Sequence, residues 1–258
     1  MTSYLLNLNK YKDLFIELVI QDVKLKYRNS YIGIVWSMLN PILMMIVLTI
    51  IFSALFERTI DNFPVYVLTG RLVYTYFSEA TNFALESLRS NSQLIKKVYV
   101  PKYFFPMSRV CSSFITSCIS IVPIIIVMFV TGMDFSLYNL LIIVPLSLLF
   151  AICSGIGLIL STINVFFRDI KHFYTIILTM LMYATPIFYP EEIIPEKYKF
   201  LIELNPMFSI VGMVRDVVMY NMFPNLMDIL FALFYSIILL FIGLFIFYKN
   251  QDRFILYL

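Results

Sequence analysis

The chain contains one histidine, His172, and the acid closest to it in sequence is Asp169. A histidine beside a carboxylate is a pairing used for general acid–base catalysis, but no third group stands near to orient the imidazole. Arg168, Asp169, Lys171 and His172 are therefore read as a charge cluster at the end of a membrane span. Cys111, Cys118 and Cys153 lie in apolar blocks without CxxC spacing, so buried small hydrophobes explain them better than a disulfide or a metal site. No metal ligands are expected. The seven glycines form no G-x-x-x-x-G-K-[ST] phosphate loop, and neither HExxH nor a nucleophile elbow occurs. Any energy source must then come from a partner or an ion gradient. An ion-coupled carrier would need several intramembrane acids, and only Glu79 is clearly one.

Glu79 shares the second apolar block with Arg71. A charge at the bilayer centre costs roughly 2.5–3.5 kcal/mol on insertion scales, so such residues face a bundle interior or an aqueous path. Eight residues apart on a helix, they differ by roughly 80° in direction, with Tyr74 on a nearby bearing. Two roles stay open for them: structural ties to neighbouring spans, or the lining of a translocation path.

These residues are carried by a very apolar chain. Of 258 residues, 61% are hydrophobic, 17% aromatic and only 14% charged, whereas a soluble domain is about 25% charged. The apolar residues come in blocks of about 20, the length that crosses roughly 30 Å of hydrocarbon as a helix. A soluble enzyme and a nucleic-acid module are excluded, and the net charge of +3 implies no nucleic-acid partner. The fold class is an all-α polytopic membrane protein. Six spans are predicted, at about Ile34–Phe56, Val65–Ala84, Val110–Val130, Leu137–Phe166, Phe173–Phe188 and Ile229–Tyr248. Kinks are expected at Pro41, Pro123 and Pro145. The N-terminal stretch has no short apolar core with a cleavage site, so no cleaved signal is expected.

The basic residues orient the spans. Lys10, Lys12, Lys24, Lys26, Arg28, Arg89, Lys96, Lys97, Lys102, Arg109, Arg168, Lys171, Lys249 and Arg253 fall on one side, 14 of 19 in all. The opposite side is acidic through Glu191, Glu192, Glu196, Glu203, Asp216 and Asp228. The positive-inside rule places both termini in the cytoplasm.

Three segments do more than span. Tyr11, Leu14, Phe15, Leu18 and Val19 follow helical spacing, which predicts an amphipathic helix in the membrane interface, apolar side down. The loop from Glu86 to Arg109 interleaves Leu94, Ile95, Val98, Tyr99 and Val100 with basic residues. A topology signal needs only the charges; a short amphipathic helix seated in another protein's groove explains both. Thr185 to Met219 is too polar for one span and too apolar for a free loop. Two short half-helices dipping into the outer leaflet are predicted there, lining an exit.

The chain resembles the transmembrane subunits of ABC-2 type exporters for lipid-linked polysaccharides, the O-antigen, teichoic acid and capsule permeases. The resemblance rests on DVKLKYRNSYIGIVWSMLNPIL (22–43), QLIKKVYVPKYFFPMSRV (93–110), STINVFFRDIKHF (161–173), TPIFYP (185–190), IPE (194–196) and LNPM (204–207). It covers nearly the whole chain and implies a single domain, with 1–30 as the interface segment and 31–258 as a six-span bundle. It further implies a homodimer joined to two copies of a separate ATPase, which binds ATP and Mg while this chain binds no cofactor. In such proteins the loop after the second span supplies the coupling helix, here Ser92, Gln93, Leu94, Ile95, Lys96, Lys97, Val98, Tyr99, Pro101 and Lys102. The interface helix maps onto Leu14, Phe15, Leu18, Asp22, Lys24, Lys26 and Arg28. The outer gate maps onto Pro186, Phe188, Tyr189, Pro190, Pro195, Pro206 and Arg215. A channel along the dimer seam would be lined by aromatic and polar groups, with Trp36, Tyr66, Arg71, Tyr74, Phe77 and Glu79 as candidates. Relatives carry apolar residues and Trp after the glycine of the second span, where this chain has Gly70-Arg71-Leu72-Val73-Tyr74.

The resulting expectation is a multi-pass permease of the bacterial cytoplasmic membrane, in contact with membrane lipids, exporting undecaprenyl-diphosphate-linked polysaccharide. O-antigen is the preferred cargo, with teichoic acid or capsule as alternatives. A membrane enzyme acting on lipid-linked sugars through His172 or Glu79 is the rival of another class, and a self-sufficient channel or carrier is a third.

Overall fold

The computed structural model describes residues 11–27, 33–56, 60–98 and 100–258, with backbone alone for 27, 33–37 and 53–56. Among these, every regular element is helical. Helix α1 is Lys12–Tyr27, α2 Gly33–Phe56, α3 Phe63–Ser90 and α4 Ser92–Lys97. A broken pair follows, α5 Phe104–Ile119 and α6 Ile121–Val130; a 3₁₀ turn, Leu137–Ile142, then leads into α7 Ile143–Phe166. Helix α8 is Ile170–Ala184, α9 Glu196–Glu203, α10 Pro206–Val218, α11 Leu226–Asn250 and α12 Phe254–Tyr257. Among the described residues, three stretches are long and apolar enough to cross a bilayer: Phe104–Val130, Leu137–Phe166 and Leu226–Tyr257. The chain is thus a polytopic, all-helical membrane protein among its described residues.

The prolines act in three different ways. Pro123 has no N–H to give the Ile119 carbonyl, and the helix breaks between Ile119 and Ile121 as the rule requires. Pro145 does not kink the middle of a span as expected. It lies in the first turn of α7, where the N–H is unneeded, after the 3₁₀ turn has changed to α-helix. Pro41 lies inside an unbroken α2.

Helix α8 ends earlier than the predicted fifth span, which ran to Phe188. Pro186 pushes Thr185 into extended backbone (φ −98°, ψ 131°) and stops the helix at Ala184. Its 15 residues rise about 22 Å, short of the hydrocarbon thickness. Helix α3 runs beyond its predicted end, from Phe63 to Ser90, and it organises the molecule. It packs against α2, α5, α7 and α10, and its Val65, Val67, Val73, Ala80 and Ala84 are fully buried.

Polar side chains tie the helices where apolar contact alone would let them slide. Asn164 Nδ2 donates to the Leu85 carbonyl at 2.8 Å, and Tyr174 Oη donates to Thr81 Oγ1 at 2.6 Å, both buried. Helices α7 and α11 approach most closely at Gly155 and Gly243. A Cβ on Gly243 would lie 2.5 Å from the Gly155 carbonyl oxygen, and one on Gly155 would strike the Leu239 and Leu240 backbone. Small residues that let helix backbones meet are the usual source of packing energy between spans in lipid.

This contact generates a paired prediction. Gly155→Leu should separate α7 from α11 and cut the yield of folded protein and its thermal midpoint in detergent. Gly212→Ala, where a new Cβ meets nothing within 4 Å, should be neutral or stabilise by about 0.5–1 kcal/mol through helix propensity. Equal behaviour of the two variants would contradict the close-packed crossing.

Candidate functional site

Two assemblies at opposite ends of the bundle gather the residues singled out by sequence. At the basic end, α1, α4, the start of α5 and the C-terminal residues share one apolar cluster. Ile95 (6% exposed) and Val100 (7%) point into it, beside Phe104, Phe105, Leu158 and Phe254. Gln93, Lys96, Lys97 and Val98 are left on the surface. Helix α4 is only six residues long, too short to be stable alone, so the buried Ile95 and Val100 hold its charged face outward. Ser92 and Leu94 are half-buried, as are Pro101 and Lys102, and Tyr99 lies outside the described residues. Lys102 Nζ donates to the Gln251 carbonyl at 2.6 Å and lies over the Phe254 ring, which ties the coupling segment to the C-terminal turn. Burial lowers the Lys102 pKa, with Asp252 opposing that shift.

Helix α1 forms as expected, but its apolar stripe turns toward protein rather than lipid. Leu18 and Val19 are buried, and Leu14 and Phe15 pack half-buried beside Phe104, with ring centroids of Phe15 and Phe104 5.4 Å apart. The reason is the wide apolar surface that Phe104 and Phe105 present at the start of α5. Ile16 and Ile20 remain exposed on the other side. Asp22 pairs with Arg109 at 2.7 Å and Lys26 with Glu79 at 2.7 Å. Burial raises the Asp22 pKa more than the Arg109 charge lowers it. Lys24 is exposed, and Arg28 lies outside the described residues.

The other assembly centres on Arg215, which is 4% exposed and meets no carboxylate at ion-pair distance among the described residues. Its guanidinium carbon stands 3.5 Å from the centroid of the Tyr66 ring, and Nη2 donates to the Pro186 carbonyl at 2.6 Å. Tyr66 Oη donates to the Tyr189 carbonyl at 2.8 Å. The turn TPIFYP explains the need for these donors. Two prolines remove two N–H groups from a segment whose carbonyls have no helix to join, so buried acceptors outnumber donors. Gly70 permits the approach, since a Cβ there would come within 3.0 Å of Ile187 Cγ2 and 3.3 Å of Arg215 Nη2. Asn205 completes the fixation: its Oδ1 caps Met207 N at 3.0 Å while its Nδ2 donates to Thr185 Oγ1 at 3.0 Å. The LNPM motif is thus an N-cap followed by Pro at the first helical position.

Several expectations need correction. Tyr66 (5% exposed) and Phe77 (3%) sit inside the core, surrounded by the chain's own helices, and offer no free ring to a channel. Glu79 faces α1 through Lys26 instead of standing alone in the bilayer. Tyr74 is half-buried and donates to the Leu178 carbonyl at 3.1 Å, so it ties α3 to α8. Arg71 is half-buried and forms no ion pair among the described residues. The side chain of Trp36 lies outside the described residues. Phe188, Tyr189 and Pro206 are half-buried, Pro186 and Pro190 buried, and Pro195 exposed. The Pro195 region carries an exposed polar helix, α9, while α10 is packed inside, so the two predicted half-helices differ in surroundings. Arg168, Asp169 and His172 are all exposed at the start of α8, and Lys171 pairs with Glu86. The sequence reading did not identify Asn139, whose Nδ2 donates to the Val217 carbonyl at 3.1 Å and caps the end of α10. Its only sequence signal was Ser136 three residues earlier, the pattern of a cap.

The motifs that build these two ends belong to one known pattern, and residues 13–223 match the ABC-2 type transporter family. The chain belongs to the ABC-2 type transporter family. It is 33% identical over 251 residues to an O-antigen export system permease protein RfbA from Klebsiella pneumoniae, covering 96% of each chain. A Myxococcus xanthus RfbA permease is 28% identical over 253 residues, again covering 96% of both. The Escherichia coli polysialic acid transport protein KpsM is 23% identical over 238 residues, covering 91% of this chain and 92% of its own. These ABC-2 relatives extend over the basic end, the crossing helices and the arginine-held turn alike.

The buried arginine makes an unusual order of stability testable. Arg215→Lys keeps a buried charge but loses the planar fork and the ring stacking, whereas Arg215→Met removes the desolvated charge. Lys should therefore lower the thermal midpoint more than Met. Tyr66→Phe should cost about 1–3 kcal/mol by stranding the Tyr189 carbonyl. A Lys variant as stable as the parent would overturn this account of the turn.

Proposed function

We propose that this ABC-2 transporter chain is the permease subunit of an ATP-driven exporter of undecaprenyl-diphosphate-linked polysaccharide, with O-antigen as its cargo. The observation that carries the reading is the exposed basic face of Gln93, Lys96, Lys97 and Val98 held outward by buried Ile95 and Val100. Such a knob is shaped to seat in a partner, and the chain has no phosphate loop of its own. The names of the RfbA relatives support O-antigen. KpsM, named for polysialic acid transport, supports a different polysaccharide at lower identity.

On this reading the chain works as a homodimer with six spans per subunit, both termini in the cytoplasm, and two copies of an ATPase that holds ATP and Mg. Movement of the ATPase reaches α4. The shared cluster carries it to α1 through Phe15 and Phe104, and Lys102 carries it to the C-terminal turn and α11. The arginine-held turn and α10 form the outer gate of the seam. The rival reading, a membrane enzyme using His172, lacks a group to orient that exposed imidazole.

Charge reversal at the knob checks the proposal. Lys96→Glu with Lys97→Glu should abolish co-purification of the ATPase and cause lipid-linked glycan to accumulate inside the cell, while the permease stays folded in the membrane. His172→Ala should leave export unchanged. Normal export in the double variant would sink the coupling role, and lost export in His172→Ala would favour the enzyme.

A further inference from the structure

Where α1, α3 and α5 meet, beside the Asp22–Arg109 pair, a pocket of about 200 Å³ opens. Its polar wall comes from Asp22, Lys26, Arg109, Ser112, Ser113 and Thr116. One apolar wall is the ring of Phe83, which is 44% exposed.

Charge balance limits what can bind. Arg109 already meets Asp22, and Lys26 already meets Glu79, each at 2.7 Å. The four groups sum to zero, so a bare anion gains no net attraction and must compete with carboxylates in place. A neutral ligand that both donates and accepts hydrogen bonds faces no such competition. The walls offer both functions. Arg109 and Lys26 carry more N–H groups than one ion pair each consumes. Ser112 Oγ and Thr116 Oγ1 donate to the carbonyls of Arg109 and Ser113, which leaves their lone pairs to accept. Asp22 Oδ2 and Ser113 Oγ are buried and have no hydrogen-bond partner. Buried polar groups left unpaired are costly and mark where a ligand or water completes the structure. Convergent donors and acceptors beside an aromatic face suit a pyranose, whose hydroxyls do both and whose C–H faces stack on rings. The volume admits one sugar ring.

The pocket lies at the basic end, next to the helix that the export reading places at the cytoplasmic membrane surface. The sugar attached directly to a lipid diphosphate stands at that level. We propose that this pocket holds the lipid-proximal sugar of the cargo before translocation, a site that selects the first residue of the glycan; the inference rests on the export reading.

The test uses the purified permease with its ATPase in lipid nanodiscs. The probes are farnesyl diphosphate carrying N-acetylglucosamine, the same lipid carrying galactose, farnesyl diphosphate alone, and phosphatidylglycerol, with affinities measured by native mass spectrometry. At least one sugar-bearing lipid should bind about tenfold more tightly than the bare diphosphate, the effect of one or two added hydrogen bonds. Ser112→Ala with Thr116→Val keeps both ion pairs and should erase that preference without changing affinity for the bare diphosphate. Phe83→Leu should weaken it separately, and thermal midpoints verify that both variants fold. Equal binding of sugar-bearing and bare lipids overturns the proposal in favour of a phosphate site. Equal binding of phosphatidylglycerol overturns it in favour of a general headgroup site, and a preference that survives the substitutions overturns it as well. A deletion strain separates the two readings. Failure of glycan to accumulate there refutes export whatever the pocket binds, whereas accumulation without a sugar preference refutes the pocket alone.

Discussion

A polar group inside an apolar bundle has to be satisfied by the protein itself, and this constraint shapes every irregular part of the molecule. Helices meet it internally. Turns do not, and the TPIFYP turn is the most exacting case because its two prolines give no N–H. Arg215 and Tyr66 supply the missing donors, Asn205 binds the turn to the next helix, and Asn139 closes the far end of that helix. An arginine buried with no carboxylate at ion-pair distance among the described residues is expensive. Here the cost is offset by a carbonyl, a ring face and close packing against Gly70. The arginine therefore belongs to the architecture of the turn, although its charge alone suggests a surface or a substrate contact.

The same constraint explains why the basic end behaves as one body. Helix α4 has too few residues to hold its own shape, and α1 has an apolar face that the bundle covers. Phe104, Phe105 and Phe254 give both of them a common floor. Lys102 adds a directional bond from the coupling segment to the C-terminal turn. A push on the exposed lysines of α4 would then be felt by α1, α5 and α11 together, because rigid, close-packed contacts transmit displacement where flexible loops absorb it.

Long apolar elements were legible from composition and block length, since hydrocarbon thickness dictates them. The first, fourth and sixth blocks fall on helices with nearly the expected limits, whereas the third begins six residues earlier, at Phe104, and is broken at Ser120. The fifth lies nearer the N-terminus than expected and ends at Ala184, although Pro186 marks that end in plain sight: a window of hydropathy ignores the steric effect of proline on the residue before it. Helix α1 was legible as amphipathic, but periodicity says which residues share a face and not what covers that face. The same gap misplaced Tyr66 and Phe77. An aromatic residue on a polar-flanked helix has the same sequence signature whether it faces a channel or a neighbouring helix.

What the sequence determined by itself is what depends on local chemistry: helical class, the absence of a phosphate loop, the basic and acidic ends, and the helix break at Pro123. What only the tertiary structure decided is which residues meet across distance. The pairing of Lys26 with Glu79 spans 53 positions, and the Tyr66 hydroxyl reaches a carbonyl 123 positions away. No periodicity encodes such meetings, because they depend on how whole helices cross. That crossing is set by where small residues such as Gly155 and Gly243 let two backbones touch.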